Sequence, residues 1–522
     1  MSSMLAQAPL RPGRDPMAER HPAPPGRPDV RHLPQRPRVA VVGGGVAGLT
    51  AAVALAERGV AVTLLEREGY LGGRVGAWPI RLSDGSAATM SRGFHAFFRQ
   101  YYNLRSLLRR TDPGLNRLVA VGDYPLWHSS GARDSFAALP RKPPWNVAAF
   151  VARSPTFSPR DLSRVHLPTA FGLLDVSFPR TYADLDQENA ADYLNRLRFP
   201  DDARHLALEV FARSFFADPH DFSAGELVAM FHAYFLGSAE GLLFDVPSDT
   251  YSTSLWDPLA RLLHRSGARV RTGVTVGALE QLTGRDGGLR VVSDDDPVDV
   301  DAVVLACDVA GLRRLVAATP WLDGAGWPDR VAGLRTAPAF AVDRLWLDRP
   351  VETGRDAFVG TSGYDVLDNV SVLERFEAEA ADWSRRSGGS VVEVHAYALP
   401  AGFDEAQVRT QLRSALHAVY PETAGARVVD ERWLVRADCP LHAPGSWGQR
   451  PTVRTPDPRV VLAGDGIRCD LPVALMERAA TTGFQAADAL LAGWGVAGHD
   501  LWSVPTRSRH ALVRWGRAAL RR

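Results

Sequence analysis

The stretch RVAVVGGGVAGL, residues 38–49, decides the fold of this chain of 522 residues. A short apolar strand leads into Gly43, Gly45 and Gly48, which follow the pattern G-x-G-x-x-G, and a helical sequence comes next. The first glycine permits a tight turn, the second lets the backbone approach a pyrophosphate, and the third lets helix and strand pack closely. The free N–H groups at the start of such a helix favour phosphate charge. The pattern therefore predicts a dinucleotide site.

The strand that follows supports this interpretation. VAVTLLE, residues 60–66, ends at Glu66, eighteen residues after Gly48. An acid at this place in a strand–helix–strand unit binds a ribose hydroxyl. Two strands joined by a helix also predict the start of a parallel α/β sheet.

Composition excludes several classes of function. The net charge is +1, which gives no electrostatic basis for binding nucleic acid. Cys307, Cys439 and Cys469 lie far apart in the sequence, so neither a disulfide framework nor a metal site is expected. No stretch approaches the roughly 18 apolar residues that a membrane span requires, and the N-terminus has no apolar signal core. These features predict a cytoplasmic protein.

A second pair of glycines indicates which dinucleotide is bound. Glu66 and Arg67 begin the pattern E-R-x-x-x-x-G-G-R, which ends with Gly73 and Arg74. This pattern resembles the glutathione-reductase-type FAD flavoproteins of the amine oxidase and carotenoid desaturase superfamily. The resemblance implies that the glycine pair approaches the pyrophosphate of FAD and that the arginine lies near phosphate and flavin. Adjacent glycines before an arginine also suit close contact with an anion on physical grounds.

Later segments resemble the same superfamily. VVLAGDG, residues 460–466, and LMERAATTG, residues 475–483, are similar to the segments that bind the ribityl chain and the pyrimidine edge of the flavin. VRTGVTVGAL, residues 270–279, is similar to the strand whose backbone contacts the adenine. The resemblance implies a set of FAD-binding residues: Gly43, Gly45, Ala47, Gly48, Glu66, Arg67, Gly73, Arg74, Val276, Gly464, Asp465 and Met476.

The sheet-forming segments are separated along the chain, which predicts a discontinuous domain. We assign residues 38–125, 255–310 and 440–495 to an α/β, glutathione-reductase-type Rossmann domain that binds FAD. Residues 126–254 and 311–439 are expected to form an inserted α+β domain that faces the substrate and the membrane.

GFHAFFRQYYNL, residues 93–104, is unusually rich in aromatic side chains. It resembles the H-x-F-F-x-x-Y-x-N segment of plant and cyanobacterial carotene desaturases, and the surrounding sequence is similar to actinobacterial β-carotene desaturase/methylases of the isorenieratene synthase type. The resemblance implies oxidation of a β-ionone ring of β-carotene with migration of a methyl group, which yields an aromatic end group. It leaves open which acceptor reoxidises the flavin.

A reaction that passes through a carbocation favours a dry cavity with aromatic faces. The candidate substrate-facing residues are Phe97, Phe98, Phe215 and Phe231. His95 could accept a proton near neutral pH and is the candidate catalytic residue. The alternative for each phenylalanine is a place in the core, and the alternative for the histidine is a structural hydrogen bond.

Both ends of the chain are expected to lie outside the two domains. Residues 1–37 contain nine prolines and little apolar material, which predicts a flexible tail. Residues 496–522 are predicted to form a basic amphipathic segment, with a helix over 508–522 that either docks on the inner face of the cell membrane or packs on the protein. The apolar stretch 167–179 is a second candidate for membrane contact.

Three other functions stay open on the sequence. A linear-carotene desaturase or a carotene isomerase would carry the same motifs. An amine oxidase would carry the flavin motifs, but such enzymes place a lysine near the flavin. The sole lysine of this chain, Lys142, lies in the proline-flanked, turn-like RKPPW. The last alternative is a flavin- or carotenoid-binding protein without catalytic activity.

Overall fold

The computed structural model describes residues 15–136, 163–198, 215–283 and 287–509, together with positions 140, 143, 145, 146, 149, 152 and 213. Lys142 and most of the expected C-terminal helix, residues 510–522, lie outside the described residues.

The strands of the described residues are numbered along the chain. They are β1 (Glu19–His21), β2 (Arg38–Val42), β3 (Ala61–Glu66), β4 (Ala77–Arg81), β5 (Ala87–Ser91), β6 (Phe97–Phe98), β7 (Leu118–Val121), β8 (Leu126–His128), β9 (Arg133–Asp134), β10 (Phe244–Pro247), β11 (Arg269–Thr272), β12 (Val276–Gln281), β13 (Leu289–Ser293), β14 (Val298–Val300), β15 (Ala302–Leu305), β16 (Arg335–Thr336), β17 (Ala339–Leu347), β18 (Phe358–Ser362), β19 (Asn369–Val372), β20 (Ser390–Leu399), β21 (Val428–Arg436), β22 (Pro440–Leu441), β23 (Val460–Leu462) and β24 (Leu501–Ser503).

The α-helices of the same residues are numbered likewise. They are α1 (Val46–Glu57), α2 (Tyr102–Leu108), α3 (Leu167–Leu174), α4 (Arg180–Asp184), α5 (Ala190–Leu197), α6 (Ala224–Phe231), α7 (Asp257–Arg265), α8 (Val309–Ala317), α9 (Trp327–Ala332), α10 (Ala378–Ser387), α11 (Glu405–Val419) and α12 (Leu475–Gly493). In the described part of the chain, none of the helices combines the length and the apolar character needed to cross a bilayer.

The sheet that carries the glycine turn is parallel and has five strands, in the order β11-β3-β2-β15-β23. Its strands come from three separate stretches of the chain, as the sequence predicted for the α/β fold. Helix α1 follows β2, is buried along nearly its whole length and packs against α12. Two segments that are far apart in sequence therefore meet beside the glycine turn.

A second, mixed sheet has seven strands in the order β21-β17-β20-β19-β18-β8-β9. On strand β20, Val392, Val394 and Ala396 pack in one core with residues of α11 such as Leu412 and Leu416. Because neighbouring residues of a strand point to opposite faces, the side chains between them turn away from α11. That other face of the sheet forms one wall of the cavity described below.

The prediction of a flexible tail over residues 1–37 is wrong for residues 15–37. Strand β1 pairs antiparallel with β24, with Arg20 opposite Trp502, and the Asp15 carboxylate accepts a hydrogen bond from the Tyr102 hydroxyl. The pairing with β24 stabilises this segment, although its own composition offers little apolar surface to bury. Composition does not reveal pairing between residues so far apart in sequence. The same pairing places Leu501–Ser503, at the start of the predicted basic amphipathic segment, in a strand.

Candidate active site

A cavity of about 570 Å³ connects the glycine turn after β2 to the inner face of the seven-stranded sheet. This volume lies within the range of sites that hold small molecules and cofactors. The cavity contacts every residue of the predicted FAD-binding set except Gly48. Segments from residues 42–75, 274–277 and 464–479 therefore line one continuous space.

The glycines of the turn have different structural roles. A Cβ atom on Gly48 would lie 1.8 Å from the Gly43 carbonyl oxygen, so Gly48 is required for the contact between helix and turn. Gly43 has φ +109°, a conformation that favours glycine. Among the described residues, a Cβ atom on Gly45 would meet only the Gly73 Cα, at 3.8 Å, so Gly45 leaves open space in front of the α1 N-terminus. None of the described side chains caps that terminus, which suits a phosphate group.

Glu66 is fixed at the end of β3, on the wall of the cavity. Its carboxylate accepts hydrogen bonds from the backbone N–H groups of Gly44, at 2.6 Å, and Glu68, at 2.8 Å. Burial raises the pKa of Glu66, and these two bonds oppose the shift. The side chain is thus held beside the glycine turn, where the sequence placed a ribose.

Arg74 and Asp465 join the two distant segments across the cavity. The Arg74 guanidinium donates a hydrogen bond to the Asp465 carboxylate, and both side chains are mostly buried. Burial disfavours the charge on Arg74, but Asp465 offsets this and raises the pKa of the guanidinium. Behind Asp465, the N–H of Gly464 donates to the Thr482 hydroxyl at 2.9 Å, which ties the loop to α12. The N-terminus of α1 and this ion pair line the same cavity, an arrangement that fits the pyrophosphate and the flavin half of FAD.

His95 lies on the cavity wall as a neutral imidazole. Its Nδ1 lies 2.8 Å from the Gly93 carbonyl oxygen, and a bond to a carbonyl requires Nδ1 to carry the proton. The unprotonated Nε2 is then free to accept. Burial lowers the pKa of His95 to about 4. The imidazole is therefore uncharged over the physiological pH range.

The structure brings two of the four predicted phenylalanines to the cavity. Phe98 and Phe215 line it, whereas Phe97 and Phe231 do not. Phe97 is fully buried and points to the opposite face of β6 from Phe98, because side chains alternate along a strand. Phe231 stacks on Phe235, with ring centroids 4.9 Å apart. The prediction that Phe97 and Phe231 contact the substrate is therefore wrong for this cavity. Further aromatic lining residues, not predicted from the sequence, include Tyr124, Phe340 and Phe358.

A polar row on β20 was not predicted from the sequence. Glu393, His395 and Tyr397 occupy alternate positions, so their side chains share the face that turns away from α11. His395 and Tyr397 line the cavity, and Glu393 lies behind them with no exposed surface. The sequence did contain a signal for this row, because these polar residues alternate with Val392, Val394 and Ala396 along the strand.

The chain matches the family model described as flavin containing amine oxidoreductase over residues 46–491. It is 57% identical over 505 residues to the carotenoid phi-ring synthase of Streptomyces griseus, covering 96% of each chain. It is 25% identical to the zeta-carotene desaturase of Synechocystis sp., covering 87% of this chain and 97% of that protein. The cyclohexylamine oxidase of Brevibacterium oxydans has a similar fold, with a TM-score of 0.64 and 14% identity, covering 88% of this chain and 99% of that chain.

These similarities confirm the resemblance that the glycine motifs indicated, and they confirm FAD as the cofactor. The match spans both halves of the cavity, from the N-terminus of α1 to the end of α12. We conclude that the chain belongs to the flavin-containing amine oxidoreductase family, in the branch that includes the Streptomyces griseus carotenoid phi-ring synthase.

Proposed function

We propose that this protein is an FAD-dependent oxidoreductase of carotenoids that converts a β-ionone ring of β-carotene into an aromatic, φ-type end group. The observation that carries the proposal is the cavity itself, in which the FAD-binding segments continue directly into a wall of aromatic side chains. The 57% identity to a phi-ring synthase supports the same chemistry and favours the φ-type ring.

The chemistry begins with removal of hydride from a ring carbon. Bound FAD supplies the oxidant, because oxidised flavin accepts a hydride. A methyl group then migrates with its bonding electrons to the neighbouring cationic carbon, and loss of a proton forms a C=C bond. Aromatic faces of Phe98, Phe340 and Phe358 stabilise the positive charge, each by about 0.5–2 kcal/mol.

His95 is proposed to accept a proton from the ring. Its Nδ1–H is fixed on the Gly93 carbonyl, so its Nε2 lone pair is the basic atom available to the cavity. The backbone N–H of His95 donates to the Tyr251 hydroxyl at 2.9 Å, and this bond holds the residue in position. The neutral imidazole can take the proton without first losing one, but burial, which lowers its pKa to about 4, makes it a weaker base than an exposed histidine.

Two observations weigh against the alternative substrates. Relatives that act on linear carotenes are represented by a zeta-carotene desaturase at 25% identity, far below the 57% of the phi-ring synthase. Amine oxidation would favour a lysine near the flavin, and the described lining residues of the cavity include none.

Contact with a membrane surface is proposed as the route to a substrate dissolved in a bilayer. Leu167, the first residue of α3, is 56% exposed, and Trp145 is 68% exposed. An exposed tryptophan and an exposed leucine would suit an element that docks at a membrane interface.

Expression in a bacterium that accumulates β-carotene tests the proposal. We expect chromatography and mass spectrometry to show a new carotenoid whose altered rings have each lost four hydrogens and kept all their carbons. A strain that accumulates an acyclic carotene is the matched comparison and should show no such product. An unchanged β-carotene pool, with folded flavoprotein present, would contradict the proposal.

A further inference from the structure

We propose that Tyr397 and His395 form a second proton acceptor in the cavity, a relay in which Glu393 fixes the imidazole. The inference rests on the proposed ring oxidation. It concerns a part of the molecule that no glycine or aromatic motif indicated.

The stoichiometry of the reaction calls for more than one proton transfer. A β-ionone ring has one C=C bond, and an aromatic ring has three. Each additional C=C bond requires loss of one hydride and one proton, so aromatising a ring releases a hydride and a proton twice. The protons leave different ring carbons, and a single base at a fixed position faces only part of the ring.

The relay residues are in direct hydrogen-bond contact. The Tyr397 hydroxyl and His395 Nδ1 are 2.8 Å apart, and His395 Nε2 lies 2.8 Å from the Glu393 carboxylate. Arg344 donates to the other Glu393 oxygen from Nε, at 2.9 Å, and from Nη2, at 2.7 Å. Glu393, His395 and Arg344 are all almost completely buried.

The direction of the hydrogen bonds follows from the charge on Glu393. Burial alone would raise the pKa of Glu393, but Arg344 and the bond from His395 lower it to about 2. An ionised carboxylate can only accept, so His395 Nε2 carries the proton. The N–H of Phe94 lies farther from Nε2, at 3.3 Å, and is the weaker partner. His395 Nδ1 is therefore unprotonated and accepts from the Tyr397 hydroxyl.

This order of groups is that of a hydroxyl activated by a carboxylate-oriented imidazole. As a ring C–H bond breaks, its electrons form the C=C bond and its proton bonds to the Tyr397 oxygen. The Tyr397 proton passes to His395 Nδ1, and the imidazolium that results lies against the Glu393 carboxylate. Bound FAD would accept the hydride of each oxidation, and because a ring releases two hydrides, an electron acceptor must reoxidise the flavin between the two oxidations.

The relay faces the same space as His95. Tyr397 also receives a hydrogen bond from the Asn369 side chain at 2.9 Å, and its ring packs edge-on against Phe216, which lines the cavity. A Cβ atom on Gly93 would lie 2.5 Å from His395 Cε1, so the segment carrying His95 packs directly on His395. The two imidazoles thus belong to one reaction space.

The test uses FAD-loaded protein and β-carotene in phospholipid vesicles, with Tyr397→Phe, His395→Gln and the double variant. We expect each single variant to bind FAD normally, to keep its KM and to lose at least tenfold in kcat. The double variant should be no slower than the slower single variant, because residues that act as one unit are not additive. Tyr420→Phe is the matched control, since this buried tyrosine bonds the Asp356 carbonyl in the core beside α11.

Wild-type turnover in Tyr397→Phe would overturn the relay, and so would losses that multiply in the double variant. If His395→Gln does not bind FAD, Tyr397→Phe alone tests the relay, because this substitution removes one hydroxyl group and keeps the aromatic ring. Failure of the wild-type protein to oxidise β-carotene is a separate result, which would contradict the proposed function itself.

Discussion

Arg74 and Asp465 are 391 positions apart in sequence, yet they form a hydrogen-bonded ion pair on the wall of one cavity. Arg74 belongs to the short helical turn after β3, and Asp465 follows β23. The pair therefore holds together two segments of the Rossmann domain that are 391 positions apart in sequence. Both residues also line the space assigned to FAD.

Removal of the Asp465 charge should weaken FAD binding. In Asp465→Asn, Arg74 loses its ionic partner at the cofactor wall, and hydrogen bonds to charged groups contribute about 1.5–3 kcal/mol. We expect the Kd for FAD to rise about tenfold to a hundredfold in a fluorescence titration of the apoprotein. Asp301→Asn is the control, because Asp301 pairs with Arg38 on an exposed surface. Equal FAD affinity in Asp465→Asn and wild type would contradict this role.

Two glycines of the turn are expected to have different roles, Gly45 in FAD binding and Gly48 in folding. Gly45→Ala adds a methyl group where only the Gly73 Cα is near, at 3.8 Å, so the apoprotein should keep its Tm while FAD binding weakens at least tenfold. Gly48→Ala places a methyl group against the Gly43 carbonyl and should destabilise the apoprotein by about 1–3 kcal/mol.

Thermal unfolding of the apoproteins and FAD titration measure the two effects. Gly69→Ala serves as control, because a Cβ atom there meets no atom within 4 Å. Reversed behaviour, with Gly45→Ala unstable and Gly48→Ala unaffected, would show that the assigned roles are wrong.

His95 is expected to act in turnover rather than in cofactor binding. His95→Ala should retain bound FAD and lose about a hundredfold or more in kcat, within the range of general acid–base catalysis. The reaction should show no titration of His95 near pH 6.5, because burial lowers its pKa to about 4. His264→Ala, at an exposed position of α7, is the control. Full activity of His95→Ala would leave this histidine with a structural role.

His232 should make the protein sensitive to mild acid. Burial lowers the pKa of His232 to about 4, although a hydrogen bond to the Pro505 carbonyl opposes the shift. The unfolded chain binds a proton below about pH 6.5 and the folded chain does not, so stability is lost as pH falls from about 6.5 to 4. We expect this residue to account for about 2–3 kcal/mol of the fall in unfolding free energy between pH 7 and 4.5.

The comparison of wild type with His232→Gln isolates this contribution. Glutamine can still donate to the Pro505 carbonyl but does not titrate, so its denaturant stability should fall less over the same pH interval. His264→Gln should follow the wild type. An identical pH dependence in wild type and His232→Gln would show that His232 does not titrate between the two states.

The FAD half of the site could be predicted because its constraints are local. Gly43, Gly45 and Gly48 reflect backbone geometry within one turn, and Glu66 ends the next strand. The substrate half depends on which face of a strand meets the cavity. Phe97 and Phe98 are adjacent and look equivalent in sequence, but only Phe98 lines the space.

The longest-range features could not be predicted from composition. Residues 15–37 look like a proline-rich tail, but β1 finds its partner in β24, nearly five hundred residues later. The row Glu393, His395 and Tyr397 did have a signal in its alternation with valine and alanine. The charge of Glu393 depends on Arg344 of β17, and the sequence does not show that β17 pairs with β20.

Anaerobic reduction of the flavin tests directly whether β-carotene, the proposed substrate, reacts with the bound cofactor. Purified protein loaded with FAD is mixed with β-carotene in vesicles without oxygen, the vesicles are removed anaerobically, and the visible absorbance of the protein-bound flavin is recorded. We expect the absorbance to bleach while a carotenoid with fewer ring hydrogens appears. A protein that cannot be reconstituted with FAD, or that binds FAD which stays oxidised in the presence of β-carotene, would contradict the proposal.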